Sequence, residues 1–333
     1  MVKSILANPL RATGPTKLAC PQKFLPWLEW LGVTPSAGQA ELARVAFDGD
    51  LPLDRELAVR IFGDIDFDNL PMGLRRTVAA VVGGRGGKTY LLLALRLVFG
   101  MCVRDLSVAA PGEELFATVV APNDELRQQA INYALGACRS KPELRALLRL
   151  PKGTKPEDSP SWFGIWRADF NRLVVFTGAV ATPGGYGVRG KWHVDLALDE
   201  CAFFRDSSAK VSDKAIYEAG VARVLPGGQI ILGSTPWAKS GLLYEFYRDN
   251  YGKPTTCLVA HAPTLLLNDN PTTRSVVEME RIDNLDALRA RFVEEGVFIR
   301  PFGNVIYLTP AFTIAADELK ALTDAVMKVV ADN

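Results

Sequence analysis

Histidine is scarce in this chain: 333 residues contain only His193 and His261, too few and too far apart to suggest a metal site. Its five cysteines (Cys20, Cys102, Cys138, Cys201, Cys257) include no C-x-x-C pair and no zinc spacing. Cys201 has no accompanying histidine signature, so it reads as a small buried hydrophobe rather than a nucleophile. Excess charge is missing too. Thirty-eight basic against thirty-seven acidic residues leave a net charge of +1, which argues against a large uniform basic field and leaves room only for a local patch. The N-terminus lacks the long apolar core of a signal peptide. The apolar stretch 90–103, interrupted by Arg96, falls short of the roughly 20 residues a membrane span needs. These absences predict a cytoplasmic, reduced protein with no membrane partner. Repeats and low-complexity tracts are lacking as well, while a 48% hydrophobic composition suffices for one large core with smaller additions.

Two segments more than a hundred residues apart carry the chemistry. Val78-Ala79-Ala80-Val81-Val82 is apolar and partly β-branched, as a buried parallel strand would be. Gly83-Gly84-Arg85-Gly86-Gly87-Lys88-Thr89 follows, then helix-forming residues to Val103 broken only by Arg96 and Gly100. Strand, glycine turn and helix form the context of a Walker A phosphate loop. There the backbone N–H groups of Gly83 to Gly87 would curl around phosphate oxygens at a helix N-terminus. Lys88 would reach the β- and γ-phosphates of ATP, and the Thr89 hydroxyl would ligate Mg²⁺. One departure stands out: Val82 occupies the position of the motif's first glycine.

The second segment, Val194-Asp195-Leu196-Ala197-Leu198, runs into Asp199-Glu200. It reads as a buried strand ending in adjacent carboxylates, with Asp199 for Mg²⁺ and Glu200 to polarise water. Alone, the acids could simply cap a strand, and the glycines could form a turn that binds nothing. Together they predict a P-loop NTPase of the additional-strand type, α/β, with a mostly parallel sheet and helices on both faces.

Four ordered segments add a family likeness over about residues 55–290. Arg85 sits inside a divergent Walker A. Phe116-Ala117-Thr118-Val119-Val120-Ala121-Pro122 precedes a helical stretch at 123–138. Gly187-Val188-Arg189-Gly190 comes before the carboxylate strand, and Gly233-Ser234-Thr235-Pro236 follows the apolar Gln229-Ile230-Ile231-Leu232. In this order they resemble the ATPase domain of phage terminase large subunits. The resemblance implies Mg²⁺-dependent ATP hydrolysis coupled to movement along double-stranded DNA. It also implies self-association into a ring, with a portal and a small terminase subunit as partners. Arg85 and Arg189 become candidates for stabilising the γ-phosphate, and Ser234 and Thr235 for coupling. A helicase-like DNA translocase and a non-catalytic prophage remnant are the alternatives.

The organisation expected is an N-terminal arm at 1–54, the ATPase domain at 55–262, a helical linker at 263–292 and a tail at 293–333. In the arm, Phe24 to Leu31 is the compact apolar cluster, and it reads as packing on the core. Trp162, Phe163, Trp166 and Phe170 come at near-helical spacing. Too few residues follow Phe292 for a two-metal nuclease, so the reading is a motor without that domain. The tail, a short α+β piece, does not read as terminase. Gly296 to Pro310 and the helix Ala316 to Val330 resemble the end of class III PLP aminotransferases, the closest likeness being diaminopelargonic-acid aminotransferase. That resemblance implies a carboxylate-binding role for Arg300. No lysine context suits a PLP Schiff base, so transaminase activity is not expected, and the tail reads as a fusion or recombination scar.

Overall fold

The computed structural model describes residues 18–155, 157–204, 212–268, 277–278, 291–292, 294–295, 305–306 and 316–331. The chain divides into two compact units, Met1–Asn268 and Asp269–Asn333. The first is built on eight strands: β1 (Thr77–Val82), β2 (Leu115–Ala121), β3 (Leu148–Arg149), β4 (Trp162–Arg167), β5 (Arg172–Val180), β6 (Trp192–Asp199), β7 (Ile230–Ser234) and β8 (Leu258–Ala262). Their order in the sheet is β3-β4-β5-β2-β6-β7-β1-β8. The six strands from β5 to β8 run parallel, and β3 and β4 join antiparallel at one edge. Thus β7 lies between the strand that leads into the glycine loop and the strand that ends in the carboxylates.

Each central strand feeds both faces of the sheet, because successive side chains point to opposite sides. Val78, Ala80 and Val82 of β1 enter one apolar cluster, and Ala79 and Val81 enter the other. The first cluster is covered by helices α1 (Phe24–Leu31), α2 (Ala37–Ala43) and α3 (Arg55–Phe62), the helix α4 (Arg96–Val103) and α5 (Asp124–Ser140). A further helix α6 (Pro142–Leu147) precedes β3, while α7 (Asp213–Val221) and α8 (Leu242–Asn250) cover the second cluster. Helix α9 (Thr264–Leu267) follows β8. The helical starts are chemically marked: Ser36, Asp54, Asn123 and Ser212 each accept the N-cap hydrogen bond.

The helix after the glycine loop begins as a π-helical segment, Lys88–Leu95, and continues as α4. Its two departures from good apolar helix formers, Arg96 and Gly100, have one cause. Asp195 of β6 is fully buried and accepts from Arg96 Nη1 at 3.0 Å, Arg104 Nη2 at 2.9 Å and the Gln229 backbone N–H at 2.6 Å. A side chain at Gly100 would collide with that carboxylate. Arg96, also fully buried, donates its second branch to Gln229 and lies 5.1–5.9 Å from the ring centres of Phe24, Phe47 and Phe99. The apolar cluster of α1 is therefore packed on the core, with Phe24, Trp27 and Leu28 at 0% exposure.

The aromatic run at 162–166 corrects the sequence reading. It is the strand β4, not a helix. Phe163 stacks on Phe176 of β5 at 5.0 Å, and Ile165 pairs with Val174. Helical and strand spacings both fit so short a run, and antiparallel pairing to β5 decides it.

In the second unit, β9 (Val277–Glu278) pairs antiparallel with β10 (Val305–Ile306), and α10 spans Ala316–Ala331. Val326 and Val329 of α10 are buried, and Lys328 pairs with Glu295 at 2.7 Å. Arg300 and the remainder of the aminotransferase-like stretch, 296–304 and 307–310, lie outside the described residues, as do 269–276 and 279–290 of the expected linker.

Removing Asp195 leaves Arg96 charged, buried and without its main counter-ion. Asp195→Ala should therefore destabilise the protein by about 3–5 kcal/mol, measured by urea denaturation. Asp68→Ala, which breaks the exposed pair with Arg55, should change it by less than about 1 kcal/mol.

Candidate functional site

The site lies at the carboxyl ends of β1, β6 and β7, where open parallel sheets bind ligands. Register places it there. Val81 pairs with Ser234, and Asp199 pairs with Gly233, so the three strands end at one level.

After β1 the chain turns sharply. Gly83 extends the pairing with β8 through its N–H to Ala262 O at 3.0 Å. Arg85 and Gly87 then adopt left-handed backbone conformations, φ 60° and 82°, while Gly84 and Gly86 do not. Alternating handedness turns successive N–H groups toward one concavity, the arrangement that holds phosphate oxygens. The helix starting at Lys88 adds its N-terminal dipole. Val82 belongs to the strand rather than to the turn: it is fully buried, and its Cγ1 stands 2.6 Å from where a Cβ on Gly86 would be. The missing motif glycine is thus absorbed by the strand, and the close approach is met by keeping Gly86 bare.

Lys88, Thr89, Asp199, Glu200, Ser234 and Thr235 come together. Thr89 Oγ1 donates to Asp199 at 2.9 Å, and Lys88 Nζ pairs with Glu200 Oε1 at 2.5 Å. Glu200 sits in the left-handed region at φ 49°, and its N–H donates to Gly233 O at 2.7 Å. Its second oxygen, Oε2, accepts from Ser234 Oγ at 3.0 Å and from the Thr235 N–H and hydroxyl, each at 3.1 Å. The two carboxylate oxygens of Glu200 therefore serve different strands' residues.

Asp199 is fully buried, and burial pushes its carboxyl up to about 6 despite the opposing pull of Lys88 and Thr89. With Thr89 Oγ1 it offers hard oxygen donors, which suit Mg²⁺; that ion takes one or two protein oxygens and completes its shell with phosphates and water. Among the described residues no group of three or more His, Cys, Asp or Glu could hold a metal alone.

The arginines behave differently. Arg85 is exposed within the loop itself. Arg189 is exposed in the segment after β5, where it donates to Gly184 O in its own loop rather than reaching the carboxylates. Cys201 is buried, and burial raises its thiol pKa, so it is unreactive.

Sequence reasoning missed three side chains that hold the loop from outside. Thr264 Oγ1 donates to Gly84 O at 2.8 Å, Asn268 Nδ2 to Arg85 O at 2.7 Å and Gln39 Nε2 to Gly86 O at 3.0 Å. The Ser36-x-x-Gln39 capping box was a visible signal for α2, but nothing in it points to the loop. Thr264 and Asn268 stand where the sequence reading put the head of a linker.

The raised Asp199 carboxyl gives a signed pH effect. An acid whose folded pKa lies above its unfolded value favours folding below the unfolded value, and that contribution is lost as pH rises through the folded one. Asp199→Asn, in metal-free buffer, should therefore melt higher than the parent at pH 8, by the equivalent of roughly 1–3 kcal/mol. The difference should vanish near pH 4. His193, which burial and its neighbours hold near 4, acts in the opposite direction in the same window but is common to both proteins.

No protein-family profile matches the chain. Among solved structures, it is similar to the large terminase ATPase domain of Thermus phage P74-26, at 17% identity and a TM-score of 0.44, covering 71% of this chain and 84% of that one. The HK97 bacteriophage large terminase gives 16% identity and a TM-score of 0.44, over 89% of this chain and 52% of that one. S. cerevisiae Dbp5, bound to RNA and ADP BeF3, gives 12% identity and a TM-score of 0.37, over 73% and 50%. Among curated proteins, the adenosylmethionine-8-amino-7-oxononanoate aminotransferase of Buchnera aphidicola is 43% identical over 51 residues, 15% of this chain. The chain spans 12% of the length of that enzyme.

Proposed function

We propose that this chain is an ATP-hydrolysing motor domain of the terminase large-subunit kind, a P-loop NTPase of the additional-strand type. The observation that carries the reading is the double attachment of Glu200: one oxygen on Lys88, the other on Ser234 and Thr235. Support for the additional-strand type comes from β7 lying between β1 and β6.

In this reading the concavity of Gly83 to Gly87 receives the phosphates. The Lys88 ammonium transfers from Glu200 to the β- and γ-phosphate oxygens, drawn by the greater charge there. Oε1 is then released to accept a hydrogen bond from the attacking water, while Oε2 stays held and keeps the carboxylate oriented. Thr89 and Asp199 hold Mg²⁺, which when bound neutralises phosphate charge. Loss of the γ-phosphate alters what Lys88 and Glu200 face, and Ser234 and Thr235 carry that change to the end of β7. Arg85 and Arg189 are the candidates for γ-phosphate contact, within one chain or across a ring. Double-stranded DNA is the proposed track, with a portal and a small subunit as further partners. A near-neutral chain would meet DNA through a local patch rather than a broad field.

Mg²⁺-dependent ATP hydrolysis, measured with and without double-stranded DNA, tests this. Glu200→Gln should keep ATP binding and lose at least about 100-fold in turnover. Lys88→Ala should lose binding by at least about 10-fold. A folded parent that binds no ATP would overturn the reading.

A further inference from the structure

We propose that Thr264 and Asn268, on the segment leaving β8, are positioning residues that preset the phosphate loop and so tune its affinity for polyphosphate. This rests on the reading that the loop binds phosphates. A trans peptide is planar, with its C=O and the following N–H pointing in opposite directions. Holding the carbonyls of Gly84 and Arg85 from outside therefore fixes the N–H groups of Arg85 and Gly86 on the other side. Arg85 has particular need of this. As a residue with a side chain at φ 60°, it occupies a conformation that ordinarily favours glycine, and such strain persists only where surroundings over-determine it. Asn268 holds that residue's own carbonyl.

The strap is itself well anchored. Thr264 is 2% exposed, and its backbone stands so close to Gly83 that a Cβ there would lie 2.5 Å from Thr264 N. Asn268 N–H closes the α9 turn on Thr264 O at 2.8 Å. Leu267 is fully buried, and its carbonyl accepts from Ser36 Oγ at 2.8 Å. The second unit begins at Asp269, directly after the strap. The covalent exit from the motor fold is thus bonded to its phosphate loop, so nucleotide binding and the order of residues 264–268 must be thermodynamically linked.

The test uses the full chain and titrates Mg²⁺-ATP and Mg²⁺-tripolyphosphate by calorimetry, with melting temperatures measured in parallel. Thr264→Val and Asn268→Ala should each weaken both ligands by about 3- to 10-fold. Thr264→Ser, which keeps the hydroxyl, should restore binding, and melting temperatures should stay close to the parent's. Because tripolyphosphate has no base, the loss would locate the effect at the phosphates. Parent-like affinity in both variants, with binding lost in Lys88→Ala, would overturn the strap while leaving the nucleotide site intact. A folded parent that binds neither ligand would overturn both. Should a variant fold poorly, hydrogen exchange on the parent decides. Peptides covering 264–268 should exchange more slowly with Mg²⁺-ATP, and unchanged exchange would refute the linkage.

Discussion

The width of β7 governs the site. With strands about 4.8 Å apart, the ends of β1 and β6 stand roughly 10 Å from each other. Lys88 and Thr89, on the helix that grows from the β1 loop, must cross that gap to meet Asp199 and Glu200. Gly233 makes the crossing possible: Lys88 Cγ lies 3.1 Å from where a Cβ on Gly233 would be, so the lysine stem runs over the bare end of β7. The next two residues, Ser234 and Thr235, hold Glu200. A single strand end thus spaces the cation from the carboxylates, lets the cation across and grips the acid.

The helix and the carboxylate strand are tied at two levels. Near the site, Thr89 bonds to Asp199; deeper in, Arg96 bonds to Asp195. The seven-residue step along the helix covers about 10 Å and the four-residue step along β6 about 13 Å, so the two ties run nearly in parallel. Between them they fix the helix and β6 as one body. Rearrangement around a phosphate is therefore concentrated in what these ties leave loose: the Lys88 side chain, the glycine loop and the end of β7.

Much of this was legible in the sequence because local patterns stated it. The apolar run before Gly83, the helix after Lys88 and the strand ending at Asp199 lie where periodicity and turn chemistry put them. The blemishes were legible too, but not their meaning. Arg96, Gly100 and Asp195 each interrupt an apolar segment, and only the packing of the helix on β6 makes them one interaction. The strand at Trp162 was misread because a short aromatic run carries both periods. Gln39, Thr264 and Asn268 were missed for a different reason. Polar residues of their kind occur throughout caps and turns, and their bonds to Gly86, Gly84 and Arg85 span from 47 to 183 positions of sequence.

The division of labour within Glu200 also explains why its backbone is unusual. A glutamate at φ 49° sits in a region that costs side-chain-bearing residues energy, and its N–H is committed to Gly233 O. That turn lifts the carboxylate off the strand axis, so one oxygen faces Lys88 and the other faces the end of β7. An extended residue would continue β6 and carry the side chain past both. The strain is thus the means by which a single carboxylate touches two neighbours at once. A change in what Lys88 binds then alters the charge facing one oxygen, and the hydroxyls of Ser234 and Thr235 sense it through the other.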